Sequence, residues 1–156
     1  MQQNASEAFN THFSALAQEL GPVHSETFLQ NLTVLELPAG RKLIRHRMPV
    51  DSTYFIVEGT VEVSVEDGST STSLGLLGPG QWLGEVSALS GELMASATIT
   101  TRTPASFLRM RHEVLENLMT NHDAVANVLL PYLVLMLSDR LRKSYQQEAA
   151  LALEQA

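Results

Sequence analysis

Histidine, carboxylate and serine are the side chains of this sequence that could carry chemistry, and their spacing argues against each in turn. The five histidines, His12, His24, His46, His112 and His122, fall at no HxH or HExxH interval, the arrangement that sets two imidazoles on one metal ion. Only His46 lies in a β-rich segment, so the histidines read as surface residues and no metal centre is expected. Glu58 with Glu62, and Glu66 with Asp67, are close enough in sequence to divide acid and base work, yet they sit on an alternating strand pattern or at a turn. Solvated edges account for them better. Ser87, Ser90 and Ser96 have no nucleophile elbow and no partnered base. The absence of cysteine removes thiolate chemistry, disulfides and sulfur-ligated zinc. No catalytic constellation is expected, and the chain does not read as an enzyme.

Charge narrows the partners. The 156 residues carry a formal net charge of -7, which opposes the counterion release that drives proteins onto nucleic acid and equally opposes anionic membrane surfaces. From Met48 to Thr101 there is no Lys or Arg, while Asp51, Glu58, Glu62, Glu66, Asp67, Glu85 and Glu92 all lie in that interval. Neither an apolar run of membrane-spanning length nor a secretory signal is visible at the start, so no membrane association and a cytoplasmic location are expected.

The elements follow from periodicity. Asn4 or Ser6 can cap a first helix with Phe9, Phe13, Leu16 and Leu20 at helical spacing, stopped by Gly21-Pro22, and a short second helix is expected after Ser25 as N-cap. The pattern then turns to strands: 32–37, 41–45, 52–58, 60–66 with its alternation of apolar and acidic residues, 73–77 after a turn at Asp67-Gly68, 95–101 and 105–110. Helical period returns over His112 to Met119, and Asn121 or Asp123 can cap a long helix reaching about Gln147 or beyond, unless Pro131 marks its start. Helices at both ends of about eight short strands make a mainly β chain, an antiparallel β-roll with flanking helices. The expected division is 1–31 as an N-terminal helical segment, 32–110 as the roll, and 111–156 as C-terminal helices.

Three landmarks give these elements a family. Leu37-Pro38-Ala39-Gly40 precedes the second strand, Tyr54-Phe55-Ile56-Val57-Glu58-Gly59-Thr60-Val61 forms a strand pair, and Gly78-Pro79-Gly80 turns into Trp82-Leu83-Gly84-Glu85. Together they resemble the cyclic-nucleotide-binding domain family, in particular the sensor half of catabolite-activator-like (Crp/Fnr-type) bacterial regulators, over roughly Phe28 to Arg142. The resemblance implies a jelly-roll of the double-stranded β-helix type and a cyclic nucleotide as the ligand. It makes Gly84, Glu85, Val86 and Ser87 the opening of a phosphate-binding cassette, a tight turn into a short helix whose free N–H groups face the cyclic phosphate. Glu85 inherits the role of accepting a hydrogen bond from the ribose 2'-hydroxyl, and Ser96 and Ala97 match the positions where a hydroxyl and a backbone N–H approach the phosphate.

This sequence departs from the family at the next residue. The arginine that pairs with the phosphate should stand immediately before Ser96, and Ala95 stands there, with Leu93 and Met94 before it. Losing a charge-assisted hydrogen bond costs about 1.5 to 3 kcal/mol, roughly ten- to a hundred-fold in affinity. The expectation is a pocket degenerate for cAMP and cGMP. Ser144 is followed only by Tyr145 to Ala156, too few for the helix-turn-helix of the family's transcription regulators, so no DNA binding by the chain itself is expected. The apolar stripe Leu130, Leu133, Val134, Leu137 and Leu141 lies on the helix that forms the family's dimer axis, and a homodimer is expected. The reading is a stand-alone regulatory module. Its alternatives are a working sensor of a cyclic nucleotide or other small ligand acting on a partner protein, and a transcription-regulator sensor domain without its DNA-binding part.

Overall fold

A computed structural model of the protein describes residues 2–84 and 94–155. In chain order its elements are α1 (Gln2–His12), α2 (Ser14–Gln30), β1 (Thr33–Leu37), β2 (Lys42–Ile44), β3 (Ser52–Glu58), β4 (Val61–Asp67), β5 (Thr70–Leu77), β6 (Trp82–Leu83), β7 (Thr98–Thr101), β8 (Ala105–Arg111), α3 (His112–Asn121) and α4 (Asp123–Gln155).

Strand β3 explains the layering. Its first six residues, Ser52 to Val57, are all buried, the pattern of a strand covered on both faces. Phe55 and Val57 face the helices, and Tyr54 and Ile56 face the interior of the roll, so alternate side chains of one strand serve two separate cores. All pairings are antiparallel, in two four-stranded sheets ordered β1-β8-β3-β6 and β2-β7-β4-β5. The outer core joins the first sheet to the helices through Phe9, Phe13, Phe28, Phe55, Trp82 and Leu129. The inner core fills the space between the sheets with Ile44, Tyr54, Ile56, Leu83, Ile99 and Phe107. The expected antiparallel roll with flanking helices is the observed fold.

Several element boundaries differ from the sequence reading. The chain breaks at Phe13 (φ -123°, ψ 42°) between α1 and α2, before the stop at Gly21, which itself takes φ 76° and ψ 169° inside α2. Helix resumes at Pro22, whose fixed φ and missing N–H suit a first helical turn. Ser25 is therefore no N-cap: it is buried, and its hydroxyl donates to the Ala17 carbonyl at 3.2 Å, tying the two halves of α2 together. The 67–70 connection is shorter than expected, since β5 already begins at Thr70. The apolar alternation of β4 is not matched by its burial: Ser64 is buried while Val63 and Val65 are half-buried, and on the neighbouring strand Leu74 is an extra residue, since Val63 pairs Gly75 and Ser64 pairs Ser73. Pro131 lies inside α4, which starts at Asp123. Its ring removes one backbone donor from a helix whose packing on the outer core holds it regardless. Among the described residues no helix is long and apolar enough to cross a membrane.

Candidate ligand-binding site

The first cassette residue sits where only glycine fits. Gly84 follows β6 with φ 80°, and a Cβ there would lie 2.4 Å from the Ser52 carbonyl oxygen, so the turn presses directly on the start of β3. Glu85, Val86 and Ser87 lie outside the described residues. The chain is described again from Met94, where the second half of the expected cassette is stitched to the turn after β2. Arg47 N–H donates to the Ala95 carbonyl at 2.9 Å, Ala95 N–H donates to the Met48 carbonyl at 2.8 Å, and Pro49 bridges Met94. Ala95 belongs to the inner core at 6% exposure, whereas Ser96 is exposed and Ala97 half-buried. The methyl at position 95 thus packs among apolar side chains.

Two neighbours of this region carry no mark in the sequence. Arg47 is the one non-glycine residue with left-handed backbone among the described residues (φ 66°), a conformation costing an L-residue about 1 to 2 kcal/mol. Nothing in a run of arginines announces such a turn. His112, the first residue of α3, has its ring against the backbone of Gly84 and Ser52; burial holds its pKa below the usual histidine range, while those backbone groups and the Asp51 charge pull it the other way. The histidine that borders the cassette is therefore not the one in the β-rich segment. His46 instead pins β2 to its neighbours, its N–H donating to Thr98 Oγ1 at 2.9 Å and its Nδ1 lying 3.3 Å from the Glu66 amide.

Three acids of the acidic interval are paired with cations from outside it. Glu66 pairs with Lys42 at 3.2 Å, Glu62 with Arg102, and Asp51 with Arg109 at 3.3 Å. Ser52 donates to Asp51 and receives from Arg109 Nε, both at 2.9 Å. The Ser52 hydroxyl, and beside it the Arg109 guanidinium, hold the Asp51 carboxyl below its ordinary range. Glu58 and Glu62, close in sequence, make separate contacts: Glu58 accepts from the Ser106 hydroxyl at 3.4 Å.

The stripe on α4 divides. Leu133 is 1% exposed and lies in the chain's own outer core with Val125 and Leu129, so it has nothing to offer a second molecule. Leu130, Val134 and Leu141 are exposed at 46%, 58% and 55%, and Leu137 is half-buried. These four follow one another at helical intervals beside the buried face.

The cyclic nucleotide-binding domain family matches residues 34–122, which spans both sheets and the whole stretch from the β2 turn to Ala97. The chain belongs to that family. A cyclic nucleotide-gated potassium channel of Mesorhizobium japonicum is 31% identical over 113 residues, 72% of this chain. The chain spans only 30% of that channel's length. Among solved structures, a cyclic nucleotide-binding domain from Methylobacillus flagellatus superposes with a TM-score of 0.76 at 21% identity, covering 89% of this chain and 83% of its own. The regulator CLP of Xanthomonas campestris, described as c-di-GMP-responsive, gives 0.74 at 23% identity, over 81% of this chain and 62% of its own. At these identities the structures speak for the fold of the cyclic nucleotide-binding domain and for nothing finer.

Proposed function

We propose that this cyclic nucleotide-binding-fold chain is a non-catalytic regulatory module whose pocket is degenerate for cAMP and cGMP. The observation that carries the reading is Ala95, buried at 6% exposure among the apolar residues of the roll, at the position where the family resemblance places a phosphate-pairing arginine. A helix N-terminus alone still favours an anion, but without a guanidinium the bound phosphate keeps its charge in a largely apolar surround. Residues 32–110 act as the roll, with the helical segments 1–31 and 111–156 conveying its state to partners. Calorimetric titration with cAMP, cGMP and c-di-GMP tests the reading. Micromolar ligand should give no heat with either mononucleotide, and Ala95→Arg, checked for folding by its melting curve, should tighten binding roughly ten- to a hundred-fold. Low-micromolar binding of cAMP by the unaltered chain would overturn it.

The module acts as a homodimer through Leu130, Val134, Leu137 and Leu141 of α4. Three of the four expose large apolar side chains in one row, the seam a parallel helix pair buries. Val134→Asp should convert the dimer to a folded monomer in sedimentation analysis, whereas Leu133→Asp should unfold the chain. A monomeric unaltered protein at high concentration would remove this part of the proposal.

A further inference from the structure

Four of the ten Lys and Arg residues of this acidic chain, Arg41, Lys42, Arg45 and Arg47, fall within seven positions, and no acid lies between Glu36 and Asp51. Their surroundings differ. Lys42 is taken up by Glu66, as Arg102 is by Glu62 and Arg109 by Asp51, but among the described residues Arg45 and Arg47 meet no carboxylate. Between β2 and the start of β3 a cavity of about 300 Å³ opens, bordered by Arg45. Its floor is Ile44, Val50 and Tyr54, all buried, and its rim is Lys42, Arg45 and Met48, the last 54% exposed. Asp51 also borders the cavity, but Ser52 and Arg109 occupy its Oδ1 oxygen.

A floor of Ile44, Val50 and the Tyr54 ring beneath a guanidinium that meets no carboxylate among the described residues suits an amphipathic anion: the ring or branched chain is desolvated below, and the head group keeps a fork of N–H donors at the mouth. We infer that this cavity is a binding site for a small organic anion, its apolar body on Ile44, Val50 and Tyr54 and its carboxylate or phosphate on Arg45. The volume suits a single ring with one head group and lies at the lower end of small-molecule pockets. None of the described cassette residues, Gly84 and Ala95 to Ala97, lines it. It is nevertheless joined to that region, because the wall residues Met48 and Pro49 are paired with Ala95 and Met94. An occupant pressing on Met48 would bear on the segment that carries Ser96 and Ala97.

Phenyl phosphate, benzoate and the neutral benzyl alcohol, titrated into the labelled full chain and followed by amide NMR, test the site. Either anion at millimolar concentration or below should shift the Val50 and Tyr54 amides, with benzyl alcohol clearly weaker, and the tighter of the two anions identifies the preferred head group. Arg45→Ala, an exposed change that leaves the remaining spectrum in place, should weaken the anion about ten-fold or more. Met48→Glu should weaken it further by setting a carboxylate at the rim. Ala95→Arg, which tests the cassette, should leave the Arg45 dependence intact. Equal affinity for benzyl alcohol and phenyl phosphate, an Arg45→Ala variant that binds as the parent does, or no shift at Val50 and Tyr54 would each overturn the inference.

Discussion

The two cores that share β3 are built from different residues. On the helix side the Phe55 ring lies 5.3 Å from that of Phe13, 5.6 Å from Phe28 and 4.0 Å from Trp82, and Trp82 in turn meets Tyr132 at 5.7 Å. On the roll side the large ring pair is Tyr54 with Phe107, at 6.3 Å, and the rest is aliphatic or small, including Ala95 and Ala105. The outer core is filled and clamps the helices to the first sheet. The inner core borders a cavity and reaches the surface through the β2 turn. Stability is concentrated on one side of β3 and room for a ligand on the other.

Truncation on the two sides should expose the difference most strongly. Phe55→Ala removes a fully buried ring from a cluster with three aromatic contacts and should cost about 3 to 5 kcal/mol in urea denaturation. Ile44→Ala, at 8% exposure beside an existing cavity, removes fewer contacts and should cost about 2 kcal/mol, the low end for such changes. Equal losses would mean that the inner core is as tightly filled as the outer, and the contrast would fall.

The outer core was largely legible in the sequence and the inner site only in part, for physical reasons. Phe9, Phe13, Leu16 and Leu20 announce a buried helical face by spacing alone, and all four are buried in the outer core. What spacing could not convey was the break at Phe13, since a kink between two helices follows from how each packs. Along β4, alternation of apolar and acidic residues suggested buried valines, but Ser64 is buried and Val63 and Val65 only half-buried, beside the bulge at Leu74 of β5. The missing cation at position 95 was visible as a letter. Its burial, and the stitching of Ala95 to Arg47 and Met48, depend on a register between segments nearly fifty residues apart. The ion pairs that offset the acidic interval, Lys42–Glu66 among them, are equally non-local.

Gly84 stands on the seam between the cores and tests how rigid that seam is. Alanine there meets both a left-handed φ and the Ser52 carbonyl at 2.4 Å, and a loss of about 2 to 3 kcal/mol is expected. Gly40 is the control, with φ 83° but nothing within 4 Å of the added Cβ, so Gly40→Ala should cost only the backbone term of about 1 kcal/mol. If the two variants melt alike, β3 yields at Ser52, and the seam is softer than the outer core it borders.

The smallest effect concerns His112, which links the same seam to α3. Its pKa is depressed chiefly by burial, so the folded state favours the neutral ring. As the pH falls through the ordinary histidine range near about 6.5, the unfolded chain takes up a proton before the folded one does, and stability must fall with it. Urea midpoints measured at neutral pH and again at mildly acidic pH should therefore separate for the parent chain. His112→Asn should bring them together while leaving the Asp51 contribution, which is lost only at far lower pH because that carboxyl is also held below its ordinary range. Were the parent's midpoint unchanged across that interval, the His112 ring would be taking up its proton as readily in the folded chain as in the unfolded one. Burial at the seam would then be looser on the roll side than the position of Gly84 against Ser52 implies.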